Sequence, residues 1–88
     1  MTKMEIFNII ESERKYQDSK WGHTLSDDRP GDGSRSVDEF ALYISGYAAV
    51  LVHAASTTGT PNSKLEVVRK IAALCVACME QHGCPQRM

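Results

Sequence analysis

The sequence carries almost no net charge, no long apolar run and only three cysteines, and each shortage excludes a class of protein. A formal charge of −1 attracts neither nucleic acid nor an anionic membrane, so a bound polyanion needs a local basic patch. No apolar run approaches the ~20 residues that span a bilayer, and the N-terminus is too acidic and amphipathic for a signal peptide. An odd number of cysteines predicts free thiols in a cytoplasmic protein.

What the chain does contain is the composition of a small globular domain. Its 88 residues are 42% hydrophobic and 24% charged, which argues against disorder. A single domain of this length buries little more than about half of the surface of its unfolded chain, so a monomer has a thin core.

Three capping boxes predict three helices, over residues 3–20, 37–56 and 64–82. Each box pairs a hydroxyl residue with a glutamate three positions later, and the two side chains satisfy backbone donors at the helix start. The pairs are Thr2 with Glu5, Ser36 with Glu39, and Ser63 with Glu66. Gly83 suits the end of the third helix. The predicted fold class is all-α, a three-helix antiparallel bundle.

Apolar residues recur at helical spacing in each segment and predict the sides that face the core. They are Ile6, Ile9, Ile10 and Tyr16 in the first helix, Phe40, Ile44, Tyr47, Leu51 and Ala55 in the second, and Leu65, Val68, Ala72, Cys75, Val76 and Met79 in the third. The third helix is apolar almost all round from Ile71 to Met79, which is typical of burial on more than one side. In so short a chain we expect the extra neighbour to be another copy, in a homo-oligomer.

Two further features interrupt these patterns. Residues 23–35 are dense in turn formers and lack an apolar period, which predicts a long loop. A loop of this length is either mobile or functional. Whether it becomes ordered on binding is an open question. Gly46 lies in the middle of the second helix, where glycine costs about 1 kcal/mol relative to alanine. Close approach of another backbone or of a ligand is the simplest reason for it.

Two groups of residues have the composition of metal ligands. They are Cys75, Cys78, His82 and Cys84, and Asp27, Asp28 and Asp32. Structural zinc sites usually draw on two separate elements, whereas the first group comes from one run in which cysteine packs as a small hydrophobe. The aspartates lack the EF-hand spacing and suit turns. We therefore predict no metal site, although zinc binding by the first group is left open, and no catalytic nucleophile.

The segment from Arg14 to Trp21 holds the densest mix of cations and aromatic rings. Arginine and lysine pair with phosphates, and tyrosine and tryptophan stack on bases. A second basic group at 69–70 faces the first one across the bundle or across a subunit boundary. The candidate ligand-binding residues are Arg14, Lys15, Tyr16, Lys20, Trp21, Arg69 and Lys70. The alternative is a solvated helix end whose tryptophan anchors the following loop to the core.

Residues 13–22, ERKYQDSKWG, resemble the opening of short phage and prophage proteins grouped as MazG-like, and residues 67–80 are similar to the helix that ends many of them. The resemblance implies an all-α nucleotide pyrophosphohydrolase that holds Mg²⁺ with glutamates at i, i+3 on one helix and acids on the facing helix. Here the second helix has no paired carboxylates beyond Asp38 and Glu39, and Arg69-Lys70 lies about where acids are expected. The resemblance thus implies nucleotide-related ancestry without the hydrolytic metal site.

The leading prediction is a non-catalytic phage-type protein that binds a nucleotide or short oligonucleotide, without a cofactor and without long duplex nucleic acid or a membrane as partner. Sequestering a nucleotide signal of host defence is one such role. Two alternatives stay open. One is a degenerate nucleoside triphosphate pyrophosphohydrolase that holds Mg²⁺ with Asp27, Asp28, Asp38 or Glu39. The other is a module whose apolar third helix docks on a host protein.

Overall fold

The structure is a computed structural model that describes residues 1–21, 35–55 and 60–87, with the backbone alone at Trp21. It contains three helices, α1 (Lys3–Trp21), α2 (Val37–Ala55) and α3 (Pro61–His82), and these ranges hold no strand. The predicted all-α, three-helix class is confirmed. Apart from Arg35, the predicted loop at 23–35 lies outside the described residues. Along the described stretches, none of the helices combines the length and hydropathy needed to cross a membrane.

The first two helices begin with the predicted capping boxes. The Thr2 hydroxyl accepts the backbone N–H of Glu5 at 3.2 Å, and the Glu5 carboxylate accepts the backbone N–H of Thr2 at 3.3 Å. Ser36 and Glu39 make the same exchange at 3.1 and 3.2 Å. Both starts depend on residues only three positions apart, which is why the sequence alone locates them.

The third helix begins at Pro61 rather than at residue 64, and the predicted Ser63–Glu66 box is wrong. The N-cap is Thr60, whose Oγ1 accepts the backbone N–H of Ser63 at 3.1 Å. Pro61 takes the first helical position, where its fixed φ suits the helix and its missing N–H leaves no bond unmade. Thr60 therefore satisfies the first-turn donor of Ser63, and the helix starts one turn upstream.

The far end of α3 follows the prediction. Gly83 has a φ of 96°, a conformation that side chains disfavour, and its N–H donates to the Met79 carbonyl at 2.8 Å. This bond satisfies one of the last carbonyls of the helix and ends it.

The middle of α3 lies between the other two helices and carries the core. Ala73, Leu74 and Ala77 are fully buried, and α3 packs against both α1 and α2. The predicted burial of this segment on more than one side is confirmed, and both neighbours belong to the same chain.

The first part of the predicted stripe of α2 packs on α3, whereas Ala55 at its end is exposed. Phe40 is buried with Leu74 and Ala77, and the half-buried residues around this cluster are Ile44, Tyr47 and Cys78. The ring of His82 stands edge-on to Phe40 with 6.4 Å between centroids. Nε2 of His82 donates to the Arg35 carbonyl at 2.7 Å, because a carbonyl only accepts. The start of α2 thus lies beside the end of α3, and the two helices are antiparallel.

Gly46 has no neighbour among the described residues that explains it. It is exposed in the middle of α2, and a Cβ placed on it meets none of their atoms within 4 Å. The close approach of another backbone or of a ligand stays a prediction.

Gly46→Ala should therefore stabilise the protein by about 1 kcal/mol, because alanine loses less backbone freedom in a helix and has room for its methyl group. Thermal unfolding followed by circular dichroism should show a midpoint roughly 4–8 °C higher. Gly83→Ala is the matched control and should lower the midpoint, since its φ of 96° strains alanine. A lower midpoint for Gly46→Ala would show that something occupies the space above this glycine.

Thr60→Ala should lower the free energy of unfolding by about 1 kcal/mol, because it removes the N-cap acceptor of α3. Ser63→Ala keeps the backbone N–H that Thr60 accepts, so we expect a loss of only a few tenths of a kcal/mol. Urea denaturation of the two variants checks the order. A larger loss of stability in Ser63→Ala than in Thr60→Ala would indicate that Ser63, and not Thr60, caps α3.

Candidate functional site

The buried residues of α1 are polar, although its sequence places an apolar stripe on one side. Among its described side chains, the buried ones are Glu13, Arg14 and Gln17, which are 9%, 8% and 4% exposed. Ile6 and Ile9, predicted to face the core, are exposed instead. The contact between α1 and α3 is therefore a polar seam formed by Glu13, Arg14 and Gln17 with residues of α3.

Arg14 is held by two carboxylates of its own chain. Its Nε donates to Oε1 of Glu80, near the end of α3, at 2.8 Å. Its Nη1 lies 2.8 Å from Oδ1 of Asp18, one turn along α1, but makes no aligned hydrogen bond there. A phosphate that bound Arg14 would have to displace these carboxylates.

Arg69 is held in the same way from the other helix. Its Nε donates to Oε1 of Glu13 at 2.8 Å, and the side chain of Glu13 is 8% exposed while that of Arg69 is 36% exposed. A carboxylate so far removed from water needs a cation beside it, because desolvation otherwise disfavours its charge. The Arg69 guanidinium is therefore already paired with Glu13, and a ligand would have to compete with this carboxylate for it.

Gln17 continues the seam toward the end of α1. Its Nε2 donates to the backbone carbonyl of Lys70 at a long 3.4 Å. Its Oε1 is buried without a hydrogen-bond partner, which is a costly state for a polar atom. This bond holds the backbone of Lys70 against α1. The 14–21 segment and the 69–70 pair therefore lie on facing helices of the same chain.

The remaining candidate residues of α1 are exposed. Tyr16 is 58% exposed, and Lys20 is exposed one turn further along the same side of the helix. Lys15 lies on another side, where it pairs with Glu11 at 3.5 Å in an exposed ion pair. Trp21 ends the helix, and its side chain lies outside the described residues.

Two of the candidate cations take part in none of the ion pairs between described residues. Lys70 is half-buried and Lys20 is exposed, and neither makes an ion pair with any residue that the structure describes. Since Gln17 contacts the Lys70 backbone, and Lys20 follows Gln17 by less than one helical turn of about 5.4 Å, the two lysines lie in the same region of the seam.

Sequence reasoning missed three members of this seam. Glu13, Gln17 and Glu80 were not predicted to take part in a site. The spacing of Glu13 and Gln17 on either side of Arg14 puts them on one face of α1, but the sequence carries no signal that joins them to Arg69 or Lys70.

The described residues of the groups considered for metal binding do not gather into a metal site. In the part of the chain that is described, no three His, Cys, Asp or Glu side chains gather to hold a metal ion. The three cysteines are free thiols, and Cys75 and Cys78 are half-buried. The Glu39 carboxylate is engaged at the start of α2, while Asp27, Asp28 and Asp32 lie outside the described residues.

No protein-family model, no curated protein and no solved structure matches this chain. The resemblance to MazG-like proteins stays a prediction from residues 13–22 and 67–80. The function therefore has to be inferred from the geometry of the seam.

Arg69→Met should lower the free energy of unfolding by about 2 kcal/mol, because it leaves the Glu13 carboxylate buried without a counter-charge. The loss is set below the ~3–5 kcal/mol of a fully buried pair because Arg69 is 36% exposed. Urea denaturation measures it. The double variant Glu13→Gln/Arg69→Met should recover part of the loss.

Lys15→Met is the matched control for this experiment. It breaks the exposed pair with Glu11 and should change stability by less than about 0.5 kcal/mol. Equal effects of Arg69→Met and Lys15→Met would contradict a structural role for the buried pair.

Proposed function

We propose that this chain binds a nucleotide or short oligonucleotide, without converting it, at the end of α1 and the adjacent part of α3. The observation that carries the proposal is that Lys20 and Lys70 lie in one region of the seam without a carboxylate partner among the described residues. Cations that no described carboxylate offsets are stabilised by an anion placed beside them. A phosphate group has the charge and the acceptor oxygens for that position.

Tyr16 supplies the aromatic ring of the proposed nucleotide site. Its ring is 58% exposed, and the spacing of four residues puts it on the same side of α1 as Lys20. A phosphate held by the lysines would bring the attached base within reach of this ring, and stacking on an aromatic ring tolerates any base. The arrangement therefore favours a ligand that combines phosphate with a base over inorganic phosphate alone.

The internal ion pairs narrow the predicted set of ligand contacts. Arg14 and Arg69 position the helices through Glu80 and Glu13, and Lys15 points away from the seam. Lys20, Lys70 and Tyr16 remain as the residues that contact the ligand. Trp21, which follows Lys20, is proposed as a second stacking residue from the sequence alone.

We propose binding without catalysis because, among the described residues, no three His, Cys, Asp or Glu side chains gather to hold a metal ion. Glu39, one of the acids on which hydrolysis would depend, is engaged at the start of α2. A protein that binds a nucleotide and leaves it intact lowers its free concentration. Sequestering a nucleotide signal of host defence is the role that we propose for such a protein, on the strength of the phage-type resemblance.

Lys20→Glu and Lys70→Glu should each weaken nucleotide binding about tenfold or more, because each removes a charge-assisted contact worth about 1.5–3 kcal/mol. Tyr16→Ala should weaken it by about 1–3 kcal/mol, while Tyr16→Phe should retain it. Isothermal titration calorimetry with a panel of mononucleotides, cyclic nucleotides and short oligonucleotides measures these effects. Binding should also weaken as salt rises.

Lys3→Glu is the matched control, since it makes the same charge change at an exposed position at the start of α1. It should leave the affinity unchanged. Absence of binding across the panel, or an equal loss in Lys3→Glu, would overturn the proposal. Release of pyrophosphate from a nucleoside triphosphate with Mg²⁺ would overturn its non-catalytic part.

A further inference from the structure

An apolar surface remains uncovered where α1 and α3 run beside each other. It consists of Ile6, Phe7 and Ile9 on α1 and Leu65 and Val68 on α3, each at least 40% exposed and each lining a hollow between the two helices; we call it the α1–α3 face. Four of these five residues belong to the stripes that the sequence predicts for the core. The chain alone does not bury them.

The α1–α3 face has both ridges and hollows. One hollow of about 460 Å³ lies between Ile9 and Leu65, and another of about 450 Å³ lies between Phe7 and Val76. Ile10 and Ala72 line both, so the hollows adjoin each other. A surface that carries complementary ridges and hollows together is able to pack against itself across a two-fold axis.

We propose that a second copy of this chain covers the α1–α3 face in a two-fold symmetric dimer. With Met1, the exposed apolar residues of the face present on the order of 600 Å², at or above the largest apolar patch of a typical monomer. A standard interface buries about 800 Å² per partner, of which roughly 60% is apolar. The face is thus large enough for a stable dimer.

Charges at the edge of the face favour a copy over a membrane. Glu66 and Arg69 line the first hollow, and Glu11, Arg14 and Glu80 line the second, so each hollow has charges of both signs. An interfacial helix on an anionic membrane needs an excess of lysine and arginine. Balanced charges let the face meet itself without net repulsion.

The thin core favours a copy over a separate partner protein. Across the described ranges, the buried apolar residues are Phe40, Ala73, Leu74 and Ala77, and two of them are alanines. Small domains with so little apolar burial depend on additional stabilisation such as oligomerisation. A second copy is present whenever the chain is made, whereas a separate partner would leave the unbound protein with this face in water.

Sedimentation and native mass spectrometry of the full chain should give a particle of about twice 9.7 kDa, and its unfolding midpoint should rise with concentration. Leu65→Glu places a charge in the first hollow and should weaken the dimer at least about tenfold, which moves the concentration dependence of the midpoint to concentrations at least about tenfold higher. Leu65 is 63% exposed in the single chain, so the variant disturbs little packing within it. Unfolding of Leu65→Glu at a concentration where the control stays folded also supports the proposal.

Leu42→Glu is the matched control, because Leu42 is still more exposed but lies on α2, outside the face. It should keep the dimer and its concentration dependence. A wild-type mass of one chain with a constant midpoint up to about 100 µM would overturn the proposal. So would a dimer that Leu42→Glu dissociates and Leu65→Glu does not. Neither outcome depends on nucleotide binding.

Discussion

The contacts of Glu13 with Arg69 and of Arg14 with Glu80 cross from α1 to α3 where a small domain ordinarily places apolar side chains. Each contact brings opposite charges to 2.8 Å and has one partner, Glu13 or Arg14, that is largely removed from water. The more exposed partner offsets the desolvation of the buried one. Once α1 is docked through these residues, Ile6 and Ile9 are left exposed. The exposed α1–α3 face and the region around Lys20 both follow from this orientation of α1.

Local interactions explain which parts of the fold the sequence predicts. The caps at Thr2 and Ser36 and the end at Gly83 depend on residues three or four positions away, and their types alone specify the bonds. The sequence misplaces the start of α3 because Thr60 and Ser63, one helical turn apart, are both able to act as the N-cap. Thr60 is followed by proline, which suits the first helical position, and that preference decides between them.

The seam was not predictable from the sequence in the same way. Periodicity shows that Ile6, Ile9 and Ile10 share a side of α1, but it does not show which side this chain covers. Glu13 and Arg69 are 56 residues apart in the sequence, so their pairing is predictable only once the orientation of α1 on α3 is known. Tyr16, Lys20 and Lys70 stay predicted ligand contacts by residue type, and the structure adds that Arg14 and Arg69 are engaged by carboxylates.

The seam and the α1–α3 face are physically connected through Arg69. This side chain donates to Glu13 and also lines the hollow between Ile9 and Leu65. A second copy seated in that hollow would exclude water from Arg69, and a pair with good geometry attracts more strongly as the local dielectric falls. Dimer formation would therefore tighten the hold of α1 on α3. Because Gln17 bonds the Lys70 backbone on the same stretch of α3, the dimer would also fix the distance between Lys20 and Lys70, so a phosphate would bind a site already arranged for it.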